Sequence, residues 1–157
     1  MDSATLVRAV AILPDGSRLP KVSRFYTKLQ RPATFNTPLK SHLDHVPERA
    51  FDGQLQQSYF YSKTPFRDGD HFAILFDTPV LLKSIKAFTG HPDHPDDYVH
   101  QGVLQISEDL LDFETVAEFH DGIAETKLDG TKLIKAIVIR ATGSQTNGLA
   151  VREIVVE

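Results

Sequence analysis

From position 71 onward the chain reads as short apolar runs separated by turn residues. HFAILFD (71–77), SIKAFTG (84–90), GVLQISE (102–108), FETVAEF (113–119), KLIKAIVIRAT (132–142) and LAVREIVVE (149–157) are rich in valine, isoleucine and phenylalanine. Runs of this length and composition, bounded by loops, predict strands. In GVLQISE, Leu104 and Ile106 fall on one face and Gln105 and Ser107 on the other, the period of two expected of a half-buried strand. The spacing predicts an antiparallel sandwich. The charged DDYV and SEDLLD segments interrupt the apolar runs and read as loops at the sandwich ends.

The first third is less regular. ATLVRAVA (4–11) fits either a helix or an opening strand, and LPDGSRLP beyond it has turn punctuation. From Lys21 to Pro47 the prolines 32, 38 and 47 interrupt any period, so this part reads as a long surface segment with one short strand at most. No internal repeat divides the chain. The expectation is one domain over 1–157, with 1–47 its least defined portion.

A chain of 157 residues is long enough to bury a core without staples. Seventeen basic residues against 21 acidic ones give a formal charge of −4, which supplies no general attraction to nucleic acid or to an anionic membrane. No apolar run approaches the roughly 20 residues of a membrane helix, and the first residues lack the pattern of a secretion signal. There are no cysteines, so disulfide and thiolate chemistry are excluded and the redox compartment is left open.

Candidate chemistry concentrates in GHPDHPDDYVHQG (90–102), a proline-stiffened loop with three histidines, three aspartates and a tyrosine. Directed donors and acceptors beside an aromatic ring suit a sugar. The same side chains suit a metal ion or a plain solvated acidic loop, and the residues alone do not choose. A second cluster, FDGQLQQSYFYSKTPFRDGD (51–70), has Asp-Gly pairs for tight turns. Tyr59, Phe60 and Tyr61 cannot all face one way in an extended strand; Phe60 is expected in the core and Tyr59 or Tyr61 beside a ligand. Catalytic signatures are missing: Ser58, Ser107 and Ser144 lie outside any GxSxG turn, and there is no HExxH, P-loop or GxGxxG.

In order, ERAFDGQ, YFYSKTPFRDGDHFAILFDTPVLLKSIKAFTG, HPDHPDD, GVLQIS, DGIAE and LAVREIVV resemble the discoidin-like modules of carbohydrate-binding module family 32. Within that pattern the chain is similar to the lectin-like domain of the N-acetylglucosaminyltransferase IV family. The resemblance spans roughly 48–156 and implies an all-β, discoidin-like antiparallel β-sandwich of the jelly-roll kind. It implies a non-catalytic module binding N-acetylglucosamine-containing or related glycans. Catalysis would belong to a separate domain of a larger parent in the secretory-pathway lumen or outside the cell.

The family HPxD element falls on His94, Pro95 and Asp97. That match implies Asp97 as the main acceptor for sugar hydroxyls, His94 as donor or as orienter of Asp97, and Tyr98 as an aromatic edge. Tyr61 stands where a tryptophan often occurs, and Gln145 and Asn147 replace a tryptophan-containing segment, offering amide hydrogen bonds at the rim. A structural calcium, held by Asp52 and Glu153, is also implied, although Gln54 replaces an acidic neighbour. The plainer alternative has Asp52 capping a turn and Glu153 pairing with a base. Two other functions stay open: a protein-interaction or structural β-sandwich, and a small glycan-processing enzyme.

Overall fold

The computed structural model describes two N-terminal strands and the whole of residues 34–157. The chain divides into two units, Met1–Arg31 and Pro32–Glu157. In the first, β1 (Ala4–Ala9) pairs antiparallel with β2 (Val22–Thr27), Ala4 opposite Thr27 and Ala9 opposite Val22. The ambiguous opening segment is thus a strand over Ala4–Ala9, and the 21–47 stretch holds more strand than its prolines suggested.

The second unit contains β3 (Thr34–Asn36), β4 (Phe60–Ser62), β5 (His71–Leu81), β6 (Ser84–Thr89), β7 (Gly102–Ser107), β8 (Glu114–Glu118), β9 (Ile123–Lys127), β10 (Leu133–Ala141) and β11 (Leu149–Val156). They form two antiparallel sheets, ordered β3-β5-β10-β7-β8 and β4-β11-β6-β9. The all-β sandwich expected from the strand spacing is borne out, and each of the six apolar runs is a strand within one to four residues at its ends.

The core lies where the apolar faces of the strands meet. β10 sits at the centre of its sheet, and its branched residues Ile134, Ile137 and Ile139 are fully buried. From β7, Leu104 and Ile106 point inward while the Gln105 side chain accepts from Arg140 Nε at 2.9 Å, as the alternation predicts. Phe60 is fully buried, its ring centroid 4.9 Å from that of Phe72. SEDLLD is a loop: Asp109 Oδ1 accepts from the backbone N–H groups of Leu111 and Asp112.

Candidate functional site

Three segments converge at β4: the loop from Gly90 to Gln101, the turn before the short 3₁₀ helix Pro47–Ala50, and the β10–β11 connection. On β4 successive side chains alternate. Phe60 enters the core, whereas Tyr59 and Tyr61 share the other side and pack on Ala150. Both rings are almost wholly buried because histidines cover them. His91 stacks on Tyr59 and His94 on Tyr61, each at 3.9 Å between centroids. His45 lies 4.3 Å from Tyr59, and His42 meets the Tyr61 ring edge-on at 5.7 Å. Four of the seven histidines are therefore gathered over two tyrosines.

The loop holds its shape through backbone bonds. His91 and His94 exchange N–H···O=C bonds across Pro92–Asp93, Gly90 N–H donates to Ala150 O, and Ala150 N–H donates back to Asp97 O at 2.7 Å. Asp97 is thereby fixed against β11. Its Oδ2 accepts from the Tyr61 hydroxyl at 2.9 Å, its Oδ1 accepts from Gly148 N–H at 3.1 Å, and His94 Nδ1 stands 3.8 Å from Oδ2. Burial, reinforced by the hydrogen bond to Asp97 and its charge, pushes the Tyr61 phenol up to about 12, so it donates at any physiological pH. Burial lowers the proton affinity of His42, with Lys63 and neighbouring histidines adding to the effect.

Of the residues expected to touch ligand, the structure brings Tyr61, His94 and Asp97 into mutual contact. The Gln145 side chain is committed internally: Nε2 donates to Tyr98 O and Gly148 O, and Oε1 accepts from His100 N–H. It braces two loops. Asn147 is on the same connection, half-buried, with Thr146 Oγ1 donating to its Oδ1 at 3.4 Å. Tyr98 joins neither Tyr61 nor His94; it pairs with His100 at 4.4 Å and nests against Gly90 and Gly122. The sequence reading missed His42 and His45, which sit in the irregular 21–47 segment. Their spacing carried no periodic signal, and only the unusual number of histidines pointed to a cluster.

Asp52 and Glu153, the carboxylates of the calcium expectation, come together in the structure. The nearly buried Glu153 reaches the Asp52 loop, where its Oε2 accepts from the N–H groups of Gly53 (3.1 Å) and Gln54 (3.2 Å). Asp52 Oδ1 in turn accepts from Gln54 N–H at 2.9 Å. The loop thus aims two amide donors at Glu153. Among the described residues no three His, Cys, Asp or Glu side chains assemble to hold a metal. Asp52 caps its turn, as the plainer reading had it, but Glu153 pairs with backbone amides instead of a base. Burial first, then the charge of Asp52, raises Glu153 to about 7 against the pull of these N–H donors.

The two-sheet architecture is that of the discoidin-like carbohydrate-binding modules of family 32. Module CBM32-1 of a family 31 glycoside hydrolase from Clostridium perfringens matches with a TM-score of 0.62 at 18% identity, over 80% of this chain and 95% of that one. Chitosan-binding module 2 of the Paenibacillus sp. IK-5 chitosanase/glucanase, in complex with chitotriose, matches at 0.64 and 17%, over 80% and 96%. In sequence the chain is similar to alpha-1,3-mannosyl-glycoprotein 4-beta-N-acetylglucosaminyltransferase C of Macaca fascicularis, with 27% identity over 135 residues. That alignment covers 78% of this chain and 28% of the transferase, so the chain spans little more than a quarter of that relative. No family model matches the chain. The resemblance drawn from the sequence is borne out in its fold and in its relatives.

Proposed function

We propose that residues 32–157 form a non-catalytic glycan-binding module whose sugar sits against His94, Tyr61 and Asp97. The observation that carries this reading is the His94–Tyr61 stack joined to a half-buried Asp97 at a loop end of this fold. Asp97 has lone pairs left after accepting from Tyr61 and Gly148 and can take sugar hydroxyls; His94 offers a ring face and a nitrogen. Asn147 supplies an amide at the rim, Gln145 positions the two loops, and Tyr98 serves the far side of the 90–101 loop. Sugar recognition of this kind needs a rigid, prepaired polar set and an apolar platform.

An N-acetylglucosamine-containing glycan is the ligand this reading favours. Support comes from the likeness to the transferase and from the structural neighbour complexed with chitotriose. Bond-making chemistry is assigned to another part of a larger parent. Among the described residues no helix is long and apolar enough to cross a membrane.

Ligand-observed NMR against N-acetylglucosamine, galactose and short N-glycans tests the reading. Selective, saturable transfer to N-acetylglucosamine, lost in His94→Ala, is the expected result. A folded protein that binds none of these sugars would leave the interaction-domain alternative in its place.

A further inference from the structure

The loop that carries His94 and Asp97 has a second face, and it borders a separate pocket of about 360 Å³ lined by His91, Pro92, Pro95, Tyr98, Asp121 and Arg152. That volume lies within the ordinary range for ligand pockets, about 300–1,000 Å³. Arg152 reaches it because of a bulge. In the β11–β6 ladder Val151 opposes Thr89 and Glu153 opposes Phe88, which leaves Arg152 as the extra residue. Bulges re-aim side chains in this way. The guanidinium lies 5.7 Å from the centroid of the Phe88 ring. Its Nε is buried without a hydrogen-bond partner, and among the described residues no carboxylate forms an ion pair with it.

Asp121 faces the pocket from a two-residue hairpin. His120 and Ile123 exchange backbone bonds of 2.9 Å around Asp121–Gly122, and both turn residues have positive φ, 48° and 77°. This is the backbone that Asp-Gly pairs favour. Asp121 is exposed and takes part in no ion pair among the described residues. One pocket therefore presents an uncommitted donor fork and an uncommitted acceptor pair, with two pyrrolidine rings and a phenol ring beside them.

We propose that this pocket is a second saccharide subsite, taking a neutral hexopyranose unit of a glycan. Neighbouring hydroxyls of such a ring can donate to Asp121 while accepting from Arg152, and its C–H face can rest on Tyr98 and the prolines. The local charges argue against an acidic sugar. Asp121, with Asp93 and Asp96 on the adjoining loop, outnumbers the single guanidinium, and burial keeps His91 from protonating readily despite the opposing effect of Asp93. An anion would meet more repulsion than pairing. His91 is the partition: its ring stacks on Tyr59 in the first site and also lines the second pocket. The inference rests on the glycan-binding reading and extends it from one face of the loop to both.

Amide and arginine Nε–H NMR spectra of the full chain test it, with N-acetylglucosamine, mannose, galactose, a short neutral N-glycan and glucuronic acid as probes. The expected result is that a neutral sugar moves the Gly90, Gly122 and Arg152 Nε–H signals. These shifts persist in His94→Ala, and the affinity read from them falls roughly tenfold or more in Arg152→Ala. Asp121→Asn, which keeps a residue at home in left-handed backbone, should weaken the same shifts without disturbing the fold. Shifts confined to Tyr61, His94 and Asp97, or a pocket that prefers glucuronic acid, would overturn the second subsite alone. No shift with any probe would overturn the glycan-binding reading together with it.

Discussion

The Tyr61 hydroxyl donates to Asp97 Oδ2 across 2.9 Å, tying β4 to the loop between β6 and β7. Because Asp97 also accepts from Gly148 N–H, the carboxylate closes three segments at once. Asp97→Ala leaves two nearly buried donors without acceptors, at about 1–3 kcal/mol each. The variant should therefore lose stability as well as sugar affinity. Asp97→Asn, which keeps one acceptor oxygen, should lose less stability. Tyr61→Phe keeps the ring on His94 and should cost only about 1 kcal/mol. Denaturant titration alongside sugar titration separates the effects; an Asp97→Ala protein as stable as wild type would show that the carboxylate does not hold the loops.

Gly90 and Gly122 both have positive φ, 76° and 77°, and both abut Tyr98. A Cβ on Gly90 would lie 3.0 Å from Tyr98 Cβ, and one on Gly122 would lie 2.9 Å from the same atom and 3.0 Å from Thr89 O. Alanine at either site meets strained backbone and a close contact together, so each variant should lose about 1–3 kcal/mol. Gly122→Ala should be the worse, since the backbone carbonyl cannot rotate away. Equal melting of both variants and wild type would contradict this packing.

Glu153 has a folded-state pKa of about 7 against an ordinary 4.5. A raised value means that the folded state holds the proton more tightly than the unfolded chain. The resulting stability is fully present below about pH 4.5, declines through the window, and is lost as pH rises past 7. From 4.5 to about 7 the span corresponds to roughly 3 kcal/mol. Glu153→Gln, neutral throughout, should flatten this dependence. The check is unfolding free energy at pH 5 to 8 for both proteins; a wild type with no decline over that range would refute the assignment.

Calcium should leave the domain unchanged. The loop amides of Gly53 and Gln54 already occupy Glu153, and Gln54 N–H also holds Asp52. Thermal melts with excess calcium and with a chelator should coincide. A melting temperature that rises with calcium would mean that the loop reorganises around the ion.

Phe60 sits at the junction of β4 and the inter-sheet core, with no exposed surface and its ring against Phe72. Phe60→Ala should cost about 3–5 kcal/mol through lost burial and the cavity left behind. Chemical denaturation gives the value, and a loss below 1 kcal/mol would place Phe60 outside the core.

Six of the seven strands from 71 to the end were legible in the sequence because each carries its own record of burial: apolar residues at period two, or a fully apolar run such as IVI in β10. The direction of Phe60 was legible for the same reason. The strand Ile123–Lys127 was not read, although Asp121–Gly122 before it is a hairpin signal. The order of strands, the pairing of β4 with β11 and the bulge at Arg152 depend on which edges meet, and no local pattern records that. The site follows the same division. A histidine- and aspartate-rich loop was visible, but a hydrogen-bonding side chain declares only what it can bind and not which partner takes it. Folding set His42 and His45 over the tyrosines from a segment without periodicity. It committed the Gln145 amide to backbone groups, turned Tyr98 away from His94, and aimed the Gly53 and Gln54 amides at Glu153. Each of those outcomes was settled by contacts between residues far apart in the chain.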